Sequence, residues 1–288
     1  MTEVMEPPAA TSAYVRVLGA SDLPLVHEVL ERQPLIDLFV RHRVDSTSLD
    51  RRWFGAQLWG YFEDGRAVSL LHVGANVVPV QATPAAVDAF ADRLLLQRQR
   101  PSSLVGPAAS VLPLWDRLEP QWGPARSPRP AQPYLVLEHD SAMPLDPRVR
   151  PVTLDQLDVL YPACVSMFTE EVGVDPESVG STNGYRARVA QLISMGWSWA
   201  ITEGDTVLFK AEVGAATDRA CQIQGVWVHP DLRGSGLAAP ALASVVRQAR
   251  RTVAPVVTLY VNDHNTPARR AYDRVGFRQI ETFASILL

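Results

Sequence analysis

The sequence predicts an α/β (α+β layered) fold in two similar halves, and three observations point to it. Strand-like and helix-like patterns alternate in the order β-α-β-α-β through the C-terminal half. Short segments of the first half recur in the same order in the second. A stretch dense in proline (Pro120, Pro124, Pro128, Pro130, Pro133, Pro144, Pro147 and Pro151) divides the two.

In the first half, Val15-Arg16 is followed by Asp22-Leu23 and a helical apolar pattern. Trp59 to Phe62 then reads as a strand, Glu63-Asp64-Gly65 as a tight turn, and Val68, Leu70 and Val73-Gly74-Ala75 as the returning strand. The strand Asn76 to Gln81 leads through Ala82-Thr83-Pro84-Ala85-Ala86 into a helix carrying Val87, Phe90, Leu94 and Leu95. Proline removes a backbone donor and holds its predecessor extended, so no helix is expected through the proline-dense stretch, where Tyr134 to Glu138 stands out as a strand-like island. The expected organisation is a first domain over 1–139, a linker over 140–148 and a second domain over 149–288.

The second half repeats the scheme. Val149-Arg150 is followed by Asp155-Gln156-Leu157, and Trp199 to Ile201 by a turn at Gly204 and a strand through Val207, Phe209 and Val213-Gly214-Ala215. Gln222 to Val228 is a strand whose Val226 and Val228 share one face. A glycine-rich turn at Arg233 to Gly236 precedes a helix running to about Arg251, with Leu242, Val245, Val246 and Ala249 on one stripe. Val256 to Val261 is a buried strand. Asn265-Thr266-Pro267 opens a second helix that closes at Gly276, and Phe277 opens the terminal strand.

Composition bounds the function. Of 288 residues, 47% are hydrophobic and 20% charged, a globular balance that excludes wholesale disorder. A net charge of -4 gives no electrostatic footprint for nucleic acid. Cys164 and Cys221 suit a reducing cytosol as small core residues. The acidic, Pro/Ala-rich Met1 to Thr11 reads as neither signal peptide nor anchor, and no apolar run is long enough to span a bilayer. The expectation is a soluble cytoplasmic protein, monomer or homodimer, without membrane or nucleic-acid partners.

The chemistry concentrates in Val226-Trp227-Val228-His229-Pro230-Asp231-Leu232-Arg233-Gly234-Ser235-Gly236-Leu237-Ala238. A strand that ends in a glycine turn feeding a helix presents backbone N–H groups at the helix's positive end, a cradle for a pyrophosphate. Neither the Walker nor the Rossmann spacing is present. His229 reads as a packing or capping residue.

These residues resemble a family. Arg233 to Ala238 matches the R/Q-x-x-G-x-G/A signature of the GNAT superfamily of acetyl-CoA-dependent N-acetyltransferases. Asn265, Ala268, Tyr272 and Gly276-Phe277 are similar to its N-x-x-A-x-x-x-Y-x-x-x-G-F segment. The resemblance covers about Val149 to Leu288, and the layout resembles tandem GNAT proteins.

The resemblance implies a mixed, largely antiparallel sheet flanked by helices in each half, with acetyl-CoA as co-substrate and no metal. Val226, Trp227 and Val228 would lie along the pantetheine arm, Arg233, Gly234, Ser235, Gly236, Leu237 and Ala238 would hold the pyrophosphate, and Asn265 would touch the coenzyme. Tyr272 would be the general acid for the departing thiolate. The general base stays open. Gln222 and Gln224 cannot take a proton, and the carboxylate candidates are Glu170, Glu171 and Glu212. The first half lacks the signature and carries Pro79 in its equivalent strand, so it reads as a degenerate GNAT-like domain. The expected activity is acetyl transfer to an amine of a small molecule, peptide or protein. The alternative is a non-catalytic acetyl-CoA-binding sensor.

Overall fold

The computed structural model describes residues 12–178 and 182–288, so Met1 to Thr11 lies outside the described residues. The elements of the first part are β1 (Ala13–Leu18), α1 (Leu23–Leu30), α2 (Leu38–Thr47), α3 (Arg51–Phe54), β2 (Gln57–Glu63), β3 (Arg66–Val73), β4 (Asn76–Val80), α4 (Pro84–Leu95), β5 (Ser103–Pro107), α5 (Ala108–Trp122) and β6 (Ser127–Leu137). There follow β7 (Arg150–Pro151), α6 (Leu157–Val172), α7 (Thr182–Ser194), β8 (Ser198–Glu203), β9 (Thr206–Ala216), β10 (Ala220–Val228), α8 (Ala238–Thr252), β11 (Val256–Tyr260), α9 (Thr266–Val275) and β12 (Arg278–Leu287). None of the described helices is long and apolar enough to cross a membrane.

The described residues form two compact units, 12–130 with 283–288 and those within 131–282. In the first, β1 to β4 pair antiparallel in sequence order, β4 pairs β5 in parallel, and residues 283–287 of β12 close the far side of β5 antiparallel. In the second, β7 to β10 pair antiparallel, β10 pairs β11 in parallel, and residues 134–137 of β6 close β11 antiparallel. Each unit is thus a mixed, largely antiparallel sheet with helices against it.

The last strand of each sheet differs from the order in sequence. Residues 131–139, expected in the first half, belong to the second unit, and 283–288 belong to the first. Leu135 and Leu137 bury beside Val257 and Leu259, whereas Ala284 and Ile286 bury with Trp59, Leu104 and Phe90. An alternating apolar strand satisfies either sheet, so only the finished ladder decides where it goes.

The proline-dense stretch also needs correction, because α5 runs on past Pro120 and contains Pro113 as well. Each of these prolines removes one i→i−4 bond, and the buried Val111, Leu114, Trp115 and Leu118 hold the helix to its sheet despite the loss. The β2–β3 turn is as expected: Asp64 and Gly65 both take positive φ (49° and 78°), the geometry of a two-residue hairpin whose twist matches its strands. Cys164 and Cys221 are free and buried.

Candidate active site

The site is built on β10. Its parallel ladder with β11 covers only Ala220–Gln222 against Val256–Thr258, although β10 continues to Val228. The two strands therefore part beyond Gln222 and Thr258, and the backbone of Trp227 and Val228 has no ladder on that side. A bulge explains the divergence. The register to β9 shifts between Gln224 and Trp227, around Gly225 at φ +60°, and a bulge bends its strand and re-aims the residues after it. Val226 and Val228 face the core under α8, and Trp227 faces α6, so the period-two expectation holds past the bulge.

After Val228 the chain makes a short 3-10 turn, Pro230–Leu232, capped by His229, whose ring accepts the Asp231 N–H. Gly234 and Gly236 then take φ of +78° and +90°, which L side chains rarely adopt, and a Cβ at either would meet nothing within 4 Å. The space beside them is open. Helix α8 begins without a side-chain cap at Leu237. Among the described residues, the N–H groups of Gly234, Gly236, Leu237 and Ala238 have no hydrogen-bond acceptor. Unsatisfied N–H groups at a helix's positive end suit an anion, so the loop fits a pyrophosphate.

The Arg233 side chain folds back from this loop. Its Nε donates to the Val228 carbonyl (3.1 Å) and its guanidinium pairs with Glu170 (2.7 Å), which also accepts from Trp227 Nε1 (3.3 Å). Glu170 thus ties the end of α6 to the end of β10. Asn265 caps α9 by accepting the Ala268 N–H (3.2 Å). Tyr272, 7% exposed, lies one helix turn before Gly276 and packs against Phe277 with ring centroids 6.1 Å apart. Its hydroxyl has no hydrogen-bond partner among the described residues. Burial pushes the phenol well above its ordinary value and the nearby Glu171 carboxylate adds to the rise, so Tyr272 holds its proton at neutral pH. The structure therefore brings Tyr272 and Glu171 into one electrostatic neighbourhood and engages Glu170 elsewhere.

Sequence reasoning missed a buried ion pair. Lys210 and Glu212, two apart on β9 and so on one face, are 1% and 6% exposed, with Lys210 Nζ 3.0 Å from Glu212 Oε2. Gln224 Nε2 donates to Glu212 Oε1 (3.3 Å). The alternation Phe209, Lys210, Ala211, Glu212, Val213 on a central strand was the available signal: charged residues on a face that should be covered.

Residues 192–277 match the acetyltransferase (GNAT) family, and residues 56–160 match a domain of unknown function, DUF4081. Over 71 residues the chain is 38% identical to the mycothiol acetyltransferase of Brachybacterium faecium, a match spanning 25% of this chain and 22% of that protein's length. A solved tandem GNAT protein from the clavulanic acid biosynthesis pathway is similar at TM-score 0.56 and 15% identity, covering 96% of this chain and 98% of its own. A GCN5-related N-acetyltransferase from Sphaerobacter thermophilus matches at TM-score 0.57 and 16% identity over 95% and 94%. At such identities these structures establish the fold, and they do so along nearly the whole chain. The second unit of this chain carries a domain of the acetyltransferase (GNAT) family.

Proposed function

We propose that the second unit moves the acetyl group of acetyl-CoA directly to an amine of a small molecule, peptide or protein, in the cytoplasm. The observation that carries this reading is the set of N–H groups at Gly234, Gly236, Leu237 and Ala238 that have no acceptor among the described residues, set at the end of the strand that parts from its parallel neighbour. Acetyl-CoA, when bound, supplies an activated thioester. The backbone of Trp227 and Val228 on the side without a ladder, with Val226 beneath, pairs with the amides of the pantetheine arm, and residues 233–238 hold the pyrophosphate. Arg233 acts from the side by fixing the loop to Val228 and Glu170. Asn265 sets the start of α9 against the coenzyme. Tyr272, kept protonated by burial, gives its proton to the departing thiolate. Glu171 lies on the acceptor side near Tyr272, where a carboxylate draws an ammonium group toward the thioester.

The similarity to a mycothiol acetyltransferase supports acetyl transfer. The first unit, which has no glycine turn before α4, binds no coenzyme in this reading. A second reading, an acetyl-CoA sensor without turnover, is favoured by one feature: Gln222 and Gln224 stand on β10 where a proton acceptor could otherwise sit. Thiol release from acetyl-CoA across a panel of amino acids, aminosugars and polyamines separates the two. Release with at least one amine supports the transferase, and coenzyme binding without release with any of them supports the sensor.

A further inference from the structure

The buried pair on β9 has no part in holding the fold together that a pair of apolar residues could not fill as well. Removing two charges from water costs several kcal/mol per ion, and well-packed hydrophobic residues are often equal or better. Yet the surrounding chain is shaped to keep it. A Cβ at Gly225, which sits at φ +60°, would stand 3.0 Å from Lys210 Nζ and 3.1 Å from Glu212 Oε1. A Cβ at Gly214 would stand 2.1 Å from Gln224 Oε1, so only glycine there lets Gln224 reach across to Glu212. Two glycines are therefore needed to seat one carboxylate, and the bulge that parts β10 from β11 is the same feature that makes room for it.

Glu212 also has a route to solvent. Gln224 pairs with β9 but lies beyond the end of the β11 ladder, and it is exposed. No β11 ladder covers it, and the group bonded to Glu212 Oε1 is an amide that can move aside or share its bond. The titratable groups that face the pair are the Cys164 thiol beside Lys210 from α6, and Tyr185 from α7, which also feels Glu171.

Resting on the transferase reading, we propose that Glu212, held in place by Lys210 and Gln224, is the proton acceptor for the incoming amine, a role moved one strand over from the glutamines of β10. Glu212 takes one proton from the acceptor's ammonium, which frees the nitrogen lone pair to form the C–N bond as the C–S bond breaks. Tyr272 gives its hydroxyl proton to the departing sulfur and recovers one from the new amide nitrogen. Glu212 then returns its proton to water. Lys210 and Gln224 are positioning residues: each holds one oxygen of the carboxylate in place beside the Gly225 bulge.

The test is a pH–rate profile of thiol release with the full chain, using the fastest acceptor from the amine panel. Glu212→Gln is expected to lower kcat by about 10²–10⁴-fold at pH 7, the usual range for a lost general base, with unchanged affinity for acetyl-CoA. Activity should return as pH approaches the amine's own value, about 8 for an α-amine and 10.4 for a lysine-like one, because the acceptor then arrives deprotonated. Lys210→Met/Glu212→Gln, which strands no buried charge, should show the same alkaline recovery if the single variant misfolds. Equal rates for Glu212→Gln and the parent, or a loss that is the same at every pH, would overturn the proposal. Failure of the parent reading looks different, since the unsubstituted chain would then release no thiol with any amine.

Discussion

The helix that follows the fourth strand of each sheet begins in opposite ways in the two units. At α4 the start is closed. Thr83 Oγ1 accepts the Ala86 N–H (3.2 Å), the Thr83 N–H is held by Ser69 Oγ (3.3 Å), and Pro84 in the first turn has no N–H to satisfy. At α8 the start is open: no side-chain cap, two glycines at positive φ, and N–H groups without acceptors among the described residues. The two sheets share one strand order, so the difference lies in a handful of residues at one turn. A helix start that satisfies itself has nothing to offer an anion; one that does not is a binding site in waiting.

The largest way to break this contrast is at the open turn. Gly236→Asp places a side chain at φ +90° and a carboxylate where phosphate should lie, and like charges in contact cost several kcal/mol. Titration calorimetry should show acetyl-CoA affinity lowered by about 100-fold or more. Ala82→Asp at the equivalent turn of the first unit should leave it unchanged. Next in size, Tyr272→Phe removes a hydroxyl but keeps the ring against Phe277. Steady-state kinetics should give a kcat lower by about 10²-fold with little change in KM for acetyl-CoA, because the lost interaction is made in the transition state.

A third variant shows how the first unit spends its polar groups. Asp37 is buried and receives Gln81 Nε2 (2.6 Å), and Gln81 also bonds the Val29 carbonyl. Burial pushes the Asp37 carboxyl up to about 7, against the lowering effect of the Gln81 bond. Between the unfolded value of about 4 and the folded value, only the folded chain holds this proton, so this group's contribution to stability falls as pH rises through that window. Asp37→Asn should therefore stabilise the chain by on the order of 2 kcal/mol at pH 8 and by almost nothing at pH 4. Buried His72, lowered to about 4 by burial, acts in the opposite sense over nearly the same range, so denaturation midpoints of variant and parent must be compared at each pH. The smallest effect is at the closed turn. Thr83→Ala removes the α4 cap and should cost about 1 kcal/mol by chemical denaturation, without touching coenzyme affinity.

Much of the second unit was legible because its signals are local. The glycine turn, the Asn265 cap, Gly276 ending α9 at φ +105° and the period-two faces of β10 each depend on a few adjacent residues. The destination of β6 and of residues 283–287 was not legible, because an alternating apolar strand carries no record of which sheet it completes. The bulge at Gly225 escaped notice because a lone glycine in a strand has several explanations, and its meaning depends on Lys210 and Glu212 approaching from β9. Arg233 is expected from the sequence among the residues that hold the pyrophosphate, and its side chain reaches back to Glu170, a partner 63 positions away. Long-range polar pairing is what a single sequence hides best.

The central claim is that one unit of the two holds coenzyme, and counting bound molecules tests it most directly. Isothermal titration of the full chain with acetyl-CoA should give one site per chain, and the heat of that site should vanish in Gly236→Asp. Two sites per chain, or one site that persists undiminished in Gly236→Asp, would contradict the account by placing coenzyme at the closed turn or away from both.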